Sequence, residues 1–167
     1  MIFKKNLGFL LVVAFALLAL SPSAMALNKI LSPEKAGEMF DGHMDAGLEY
    51  FARGQYQEAI NELLLADQLM LLPFTKYWIA KAYLNLKQFD LAEEYFDQAI
   101  KFYEIDVFMV ERYYSEACAG KAFLLYKKGE HKKARDYLKI AYKNSDDESN
   151  KDLYAIVISI IDELLKR

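Results

Sequence analysis

The stretch from Gly47 to Ala66 places small, aromatic and polar residues in an order that returns twice further along the chain. Each copy is marked by an alanine that follows another small residue by twelve positions. The marking pairs are Gly47 with Ala59, Ala80 with Ala92, and Ala122 with Ala134. Small residues at both ends of this offset let two helices approach closely, so each copy predicts a helical hairpin.

The sequence also encodes the turn inside the first and third hairpins, while the second has Lys87 in the same column. Gly54 and Gly129 fall where the first helix must end, and glycine adopts the left-handed conformation there without a steric penalty. Since one hairpin cannot bury its apolar face alone, the three copies are expected to stack. The predicted helices cover residues 33–53, 56–70, 74–86, 89–105, 107–127, 131–144 and 150–166.

These columns of small and aromatic residues resemble the tetratricopeptide repeat (TPR) family over residues 40–146. The resemblance implies an all-α fold, a short α-solenoid of three TPR-like helical hairpins plus a C-terminal capping helix. The repeats lie near 40–72, 73–106 and 115–146, and the capping helix covers 150–166. The family's early tryptophan is replaced by His43, Lys76 and Cys118, and its closing proline by Leu71, Glu104 and Asp146.

The spacing of the repeats is uneven. Ala59 and Ala92 are 33 residues apart, close to the family period of about 34, but Ala92 and Ala134 are 42 apart. The extra residues lie between Ala99 and Tyr114, a stretch without glycine or proline, and residues 102–114 form its aromatic segment. This segment forms either a binding ledge or extra core under the last helix.

The N-terminus predicts a secretory signal peptide over residues 1–26, followed by the TPR domain over 27–167. Lys4 and Lys5 precede an apolar run from Leu7 to Leu20, and Ala24-Met25-Ala26 provides a cleavage site. The run is shorter than the roughly 20 residues of a membrane-spanning helix. We therefore expect a periplasmic or secreted protein with no stable membrane insertion after cleavage.

Charge and chemistry exclude several functions. The net charge of −3 becomes more negative when Lys4 and Lys5 are removed, which argues against nucleic acid as a partner. Cys118 is the only cysteine, so no intrachain disulfide can form. His43 lies between Asp41 and Asp45, which could suggest a metal site. Alternate residues on a helix point in different directions, so these three side chains are not expected to bind one metal ion. No catalytic, metal or cofactor site is predicted, and the protein is not expected to be an enzyme.

The family resemblance implies a concave groove, lined by the first helix of each hairpin, in which a partner segment binds. Some family members clamp a C-terminal carboxylate with lysine, asparagine and arginine, but the matching positions here hold Met44, Leu48, Trp78, Glu116 and Gly120, so that clamp is not expected. Leu48 and Leu84 are equally well explained as core. The predicted groove residues are Met44, Leu48, Phe51, Tyr77, Trp78, Lys81, Leu84, Asn85, Phe123, Tyr126 and Lys127.

This groove predicts a non-catalytic interaction module or scaffold that holds an apolar or amphipathic segment of another envelope or secreted protein. The alternative is a carrier of a small apolar or lipid-like ligand.

The last helix carries more apolar residues than one buried face needs. The predicted buried face consists of Leu153, Ile156, Val157, Ile160, Ile161 and Leu164. Tyr154, Ile158 and Leu165 then form an exposed apolar flank, unless residues 102–114 fold over it. An exposed flank predicts a second interface, for a homodimer or an obligate partner.

Overall fold

The computed structural model describes residues 32–105 and 111–166. The helices in this part of the chain are α1 (Pro33–Ala52), α2 (Tyr56–Leu69), α3 (Pro73–Asn85), α4 (Phe89–Ile105), α5 (Glu111–Lys127), α6 (His131–Asn144) and α7 (Glu148–Leu165). The described residues contain no strand, which confirms the predicted all-α fold. The predicted signal peptide at 1–26 lies outside the described residues, as do Phe108 and Met109 of the aromatic segment.

Backbone contacts divide the chain into two units, residues 1–39 and 40–167. In the first unit, Ser32 precedes α1, and its Oγ accepts a hydrogen bond of 3.2 Å from the backbone N–H of Lys35. This bond satisfies one of the free donors at the start of the helix. The second unit contains the hairpins.

The predicted close approach within the hairpins is confirmed. A β-carbon on Gly47 would lie 2.8 Å from Leu63 Cγ, so α1 and α2 can pack this tightly only because residue 47 has no side chain. The corresponding alanines of the later hairpins are buried completely or almost completely. They are Ala80, Ala92, Ala122 and Ala134.

All three hairpin turns contain a residue in the left-handed conformation, and in one of them this residue is not glycine. Gly54 and Gly129 have φ angles of 76° and 78°. Lys87 occupies the same place between α3 and α4 and has a φ of 60°. The left-handed conformation is therefore a property of the hairpin, which imposes it even on a lysine.

Two apolar clusters form the core of the second unit. The smaller cluster joins α1, α2 and α3 around Phe40, Leu63 and Ile79. The larger cluster runs from α3 to α7 and contains the buried Phe96 and Cys118. Trp78, Tyr83 and Tyr95 pack against both clusters, so the stacked hairpins connect them, as the repeat pattern predicts.

Ion pairs join successive helices beside these clusters. Lys76 Nζ lies 2.9 Å from Asp67 Oδ2, which links α3 to α2. Lys121 Nζ lies 2.7 Å from Glu93 Oε1 and 2.8 Å from Asp97 Oδ2, which links α5 to α4.

Aromatic residues of the segment 102–114 contribute to the core. Tyr103 is buried and meets Tyr114 edge to face at 5.8 Å. The Tyr113 ring lies 5.4 Å from the Tyr77 ring. Tyr103, Tyr113 and Tyr114 therefore favour the interpretation of this segment as extra core rather than as a binding ledge.

The predicted orientation of the last helix is wrong. The structure buries Tyr154 and packs Ile158 and Leu165 against the core, so the predicted second interface is not exposed at these residues. The exposed apolar residues are instead Leu153, Ile156, Ile160 and Leu164. At about 100° per residue, the observed buried face lies roughly 90° around the helix from the predicted one.

Polar contacts hold α7 in this orientation. Arg135 Nη1 on α6 donates a hydrogen bond of 3.0 Å to Asp162 Oδ1, beside the buried face. The helix begins two residues earlier than predicted because Asp147 caps it. Its carboxylate accepts hydrogen bonds from the backbone N–H groups of Ser149 and Asn150 at 2.9 and 3.3 Å.

Candidate partner-binding groove

An apolar groove lies between α5 and α7, with a volume of about 420 Å³. No charged side chain is among its lining residues. They are Ala119, Ala122, Phe123, Tyr126, Leu138, Leu153, Tyr154, Val157, Ile160 and Ile161. We call this surface the α5–α7 groove.

The groove continues toward α3 through a second depression of about 330 Å³. The two depressions share Ala119, Leu153 and Tyr154. The second one adds Lys81 and Leu84 of α3, Glu116 and Gly120 of α5, and Asn150 of α7, together with Tyr77 and Phe96. A bound segment would therefore cross from a purely apolar region to a region with polar and charged side chains.

The helical repeat explains why these residues share one surface. Ala119, Phe123 and Tyr126 are separated by four and three residues, so they lie on one face of α5. Leu153, Val157 and Ile160 follow the same spacing on α7. The small side chain of Ala119 leaves room between the two rows of larger residues.

Of the residues predicted from sequence, Phe123 and Tyr126 are the ones the structure exposes in the α5–α7 groove. Their side chains are 45% and 42% exposed. Lys127 follows them on α5, with its ammonium 5.5 Å from the centre of the Phe123 ring. An exposed aromatic pair with an adjacent cation is typical of a surface that binds a partner.

Met44 and Tyr77 are corrections to the predicted groove. Met44 is only 5% exposed and packs in the smaller core cluster, where Thr75 Oγ1 lies 3.6 Å from its sulfur. Tyr77 is 2% exposed, because Trp78, Phe96 and Tyr113 pack around its ring. Both side chains stabilise the core, and Tyr77 contributes only to the floor of the depression near α3.

Other predicted residues lie between core and surface. Leu48 and Leu84 are partly buried and pack against the core clusters. Phe51 meets Trp78 edge to face at 5.2 Å. Asn85 is exposed, but its side-chain amide donates a hydrogen bond of 2.8 Å to the backbone carbonyl of Lys81, so its role lies within α3.

Tyr77 and Glu116 form the main polar contact in the floor. The Tyr77 hydroxyl donates a hydrogen bond to Glu116 Oε2, which joins α3 to α5. Burial raises the pKa of Tyr77 well above its ordinary value, and the neighbouring Glu116 carboxylate raises it further. This tyrosine therefore remains protonated as a hydrogen-bond donor at physiological pH.

Neither histidine lies in the groove. His43 Nδ1 is 2.7 Å from Glu62 Oε2 on α2. The His131 ring packs 5.0 Å from the Tyr126 ring, as expected for a residue in an aromatic column. His131 thereby supports one of the exposed aromatic residues from behind.

Sequence reasoning missed the contribution of α7. Leu153, Val157 and Ile160 form one wall of the groove, although the pattern places them in a buried face. The width of the apolar arc on α7 was the sequence signal for this wall. It showed that the helix has more than one apolar surface, but it did not show which of them packs inward.

None of the described helices is long and apolar enough to cross a membrane.

Comparison with known proteins gives a family match to part of the chain. A sequence model of the tetratricopeptide repeat matches residues 75–106, which cover α3, α4 and the turn between them. No curated protein matches the chain.

Several solved structures share the fold at low sequence identity. The TPR2AB-domain:pHSP90 complex of yeast Sti1 has a TM-score of 0.65 and 18% identity, over 78% of this chain and 48% of that one. This chain therefore spans about half of the yeast structure. The first TPR of Spaghetti (RPAP3), bound to the HSP90 peptide SRMEEVD, has a TM-score of 0.64 and 17% identity, over 78% and 95% of the two chains.

A bacterial structure is similar to the same extent. The Yersinia enterocolitica type III secretion chaperone SycD, in complex with a peptide of the translocator YopD, has a TM-score of 0.65 and 16% identity. The match covers 78% of this chain and 96% of that one. Together with the order of the helices, these matches establish that the chain carries a tetratricopeptide repeat at residues 75–106 within an α-solenoid of TPR-like hairpins.

Proposed function

We propose that this protein is a non-catalytic binding module, which holds an apolar or amphipathic segment of another protein in the α5–α7 groove. The solved relatives include complexes of Spaghetti with an HSP90 peptide and of SycD with a YopD peptide. Binding of a partner segment is the function that best fits this fold and this surface. Scaffolding of a larger assembly follows if the partner belongs to one.

The observation that carries the proposal is the exposure of large apolar side chains on both walls of one groove. Phe123 and Tyr126 project from α5, and Leu153 and Ile160, which are 55% and 54% exposed, project from α7. Burial of apolar area stabilises a complex by roughly 25 cal/mol per Å², and central aromatic residues contribute most of the binding energy.

Site-specific photo-crosslinking tests the proposal. A benzophenone amino acid replaces Tyr126 in the groove, and in a second protein it replaces Tyr142 on α6. The two tyrosines are 42% and 45% exposed, so they form a matched pair. After illumination in cells, we expect a crosslinked partner from position 126 and none from position 142.

A groove substitution completes the test. Ile160→Asp should abolish the crosslink from position 126, because it introduces a charge into an apolar wall. Crosslinks of equal yield from both positions, or a yield at 126 that Ile160→Asp does not change, would overturn the proposal. Circular dichroism of Ile160→Asp establishes that the exposed substitution leaves the helices folded.

The second candidate function is a carrier of a small apolar or lipid-like ligand. The groove volume of about 420 Å³ favours this candidate, since small-molecule sites typically measure about 300–1,000 Å³. Native mass spectrometry of the purified protein discriminates between the two. A co-purifying small molecule that is lost in Ile160→Asp supports the carrier, and a ligand-free protein that retains the crosslinked partner supports the binding module.

We further propose that the protein acts in an exported compartment, periplasmic or secreted, after removal of residues 1–26. Lys4, Lys5 and the apolar run Leu7–Leu20 support this location. The intact mass of the protein isolated from its own cells is the test. A mass that lacks residues 1–26, recovered from the envelope or the medium, is expected, whereas full-length protein in the cytosol would refute export.

A further inference from the structure

Exposed apolar side chains of α7 extend beyond the α5–α7 groove. Leu153 and Ile160 line the groove, whereas Ile156 and Leu164 do not, although they are 58% and 39% exposed. The four residues are separated by three, four and four positions, so they form one row along α7. We call this row the α7 ridge. It borders the groove and exposes apolar surface that the groove does not contain.

The ridge and the α5 wall of the groove concentrate the exposed apolar surface. In the described part of the chain, twelve large apolar side chains are exposed, and six of them lie here. They are Phe123 and Tyr126 on α5 and the four residues of the ridge. The other six are distributed over α1, α2, α4, α6 and the turn after α2. Such a concentration is typical of an interface.

A single helix in the groove would cover only part of this surface. Ile156 and Val157 lie on opposite sides of Ile160 around α7, at about 100° per residue. Val157 lines the groove and Ile156 does not. A helix seated between α5 and α7 would therefore leave Ile156, the most exposed residue of the ridge, largely in contact with water. Full coverage requires two rows of side chains, one in the groove and one on Ile156.

A second copy of this chain presents two such rows. Its own ridge provides an apolar row for the groove, and its α5 wall, with Phe123 and Tyr126, provides the other. Because the ridge and the groove lie side by side on each copy, a two-fold axis places the ridge of each copy in the groove of the other. The α5 wall of each copy then packs on the Ile156 side of the opposite ridge. The interface is self-complementary, as two-fold symmetry requires.

The exposed area is sufficient for such a dimer. The six side chains are between 39% and 58% exposed. At about 200 Å² for each large side chain, one copy contributes about 600 Å² and two copies about 1,200 Å², which is the lower end of stable interfaces. None of the six carries a charge, so their burial leaves no charge unpaired.

We propose that this protein forms a two-fold dimer in which the α7 ridge of each copy occupies the α5–α7 groove of the other. The dimer goes beyond the proposed function, but it uses the same groove. A partner segment therefore competes with the second copy, and binding of the segment separates the dimer.

Sedimentation equilibrium of the protein purified from its own cells tests the dimer. We expect dissociation with a Kd of about 10 µM, as befits an interface of this size. Ile156→Glu should raise this Kd about 100-fold or more, because the symmetry places each substitution in the interface twice. Ile156→Ala, which introduces no charge, should raise it about tenfold. Circular dichroism establishes that both exposed substitutions leave the helices folded.

Leu65→Glu is the matched control. Leu65 is a 42% exposed apolar residue on α2, and it lines neither the groove nor the ridge. This variant introduces the same charge at a similar exposed site and should leave the Kd of the dimer unchanged.

Photo-crosslinking separates the dimer from the proposed function. The benzophenone at position 126 should also yield a product with the mass of two copies of this chain. Ile156→Glu should abolish that product and retain the crosslink to the partner, since Ile156 does not line the groove. Loss of the partner crosslink alone would reject the proposed function and leave the dimer intact.

Two results would overturn the dimer. One is a wild-type protein that remains monomeric at about 100 µM, a concentration well above the expected Kd. The other is a dimer whose Kd Ile156→Glu and Leu65→Glu change equally, since such a dimer would use a different surface.

Discussion

The ring of Phe96 on α4 occupies the space beside Gly120 on α5, where a β-carbon would overlap the ring. Gly120→Ala should therefore destabilise the protein by about 1–3 kcal/mol, because the ring is fully buried and must move. Urea unfolding measures the difference.

Gly42→Ala is the control for this substitution. Gly42 lies on α1, and a β-carbon there would meet nothing within 4 Å. This substitution should stabilise the protein by about 0.5–1 kcal/mol, because alanine favours the helix more than glycine does. If Gly120→Ala were equally stabilising, the packing described between α4 and α5 would be incorrect.

A second prediction concerns Lys87, which adopts a left-handed φ of 60° in the turn between α3 and α4. Lys87→Gly should stabilise the protein by up to about 1 kcal/mol, because it relieves the steric strain of a left-handed lysine. The greater conformational freedom of glycine in the unfolded chain offsets part of this gain. Gly129→Ala should have the opposite sign at the equivalent turn. Thermal unfolding of both variants provides the measurement, and a loss of stability in Lys87→Gly would contradict the argument.

At alkaline pH, the buried tyrosines should destabilise the protein. Burial and Glu116 raise the pKa of Tyr77 in the folded state, so its contribution to stability is complete below pH 10 and is lost as the pH rises further. Tyr77→Phe should flatten the decrease in unfolding free energy above pH 10 by about 1.4 kcal/mol per pH unit. The exposed Tyr142→Phe should leave the slope unchanged, and identical slopes for all three proteins would disprove the effect of Tyr77.

At acidic pH, Glu93 is the group to test. Burial tends to raise its pKa, but hydrogen bonds from Lys121 and Lys128 outweigh burial and hold the pKa below 4.5. Its contribution to stability is therefore present above pH 4.5 and is lost as the pH falls through the folded-state value. Glu93→Gln should be less stable than wild type at pH 7 and should depend less on pH below 4.5, whereas Glu58→Gln on α2 should retain the wild-type dependence.

The hairpins could be predicted from the sequence because their determinants are local and repeated. Gly47 and Ala59 specify the close approach, Gly54 specifies the turn, and each feature returns at equivalent positions in the third hairpin. The match of residues 75–106 to the tetratricopeptide repeat agrees with the register of the second.

The groove was only partly predictable because burial depends on packing between hairpins. Met44 and Tyr77 occupy positions that face a concave surface in a single repeat, yet Ile79 of the next hairpin packs in one cluster with Met44, and Tyr113 of the next hairpin packs on Tyr77. The pattern of a single repeat does not contain these contacts with the following hairpin. Phe123 and Tyr126 remained exposed because the apolar residues of α7 leave a gap beside them.

The orientation of α7 could not be predicted either, because two faces of the helix are apolar. Its two rows of apolar residues, one through Tyr154 and Ile161 and one through Ile156 and Ile160, make either face suitable for docking onto the preceding hairpin. The hydrophobic effect is non-directional and distinguishes poorly between them.

The hydrogen bond between Arg135 and Asp162 is a directional contact, and it is made with the Tyr154 row facing inward. Polar groups at the edge of the interface thus add to the observed orientation a directional contact that apolar burial alone does not provide. A chain without that bond would lose one contact made in the orientation that leaves the groove open, and partner affinity falls in proportion to any loss of the binding-competent fraction.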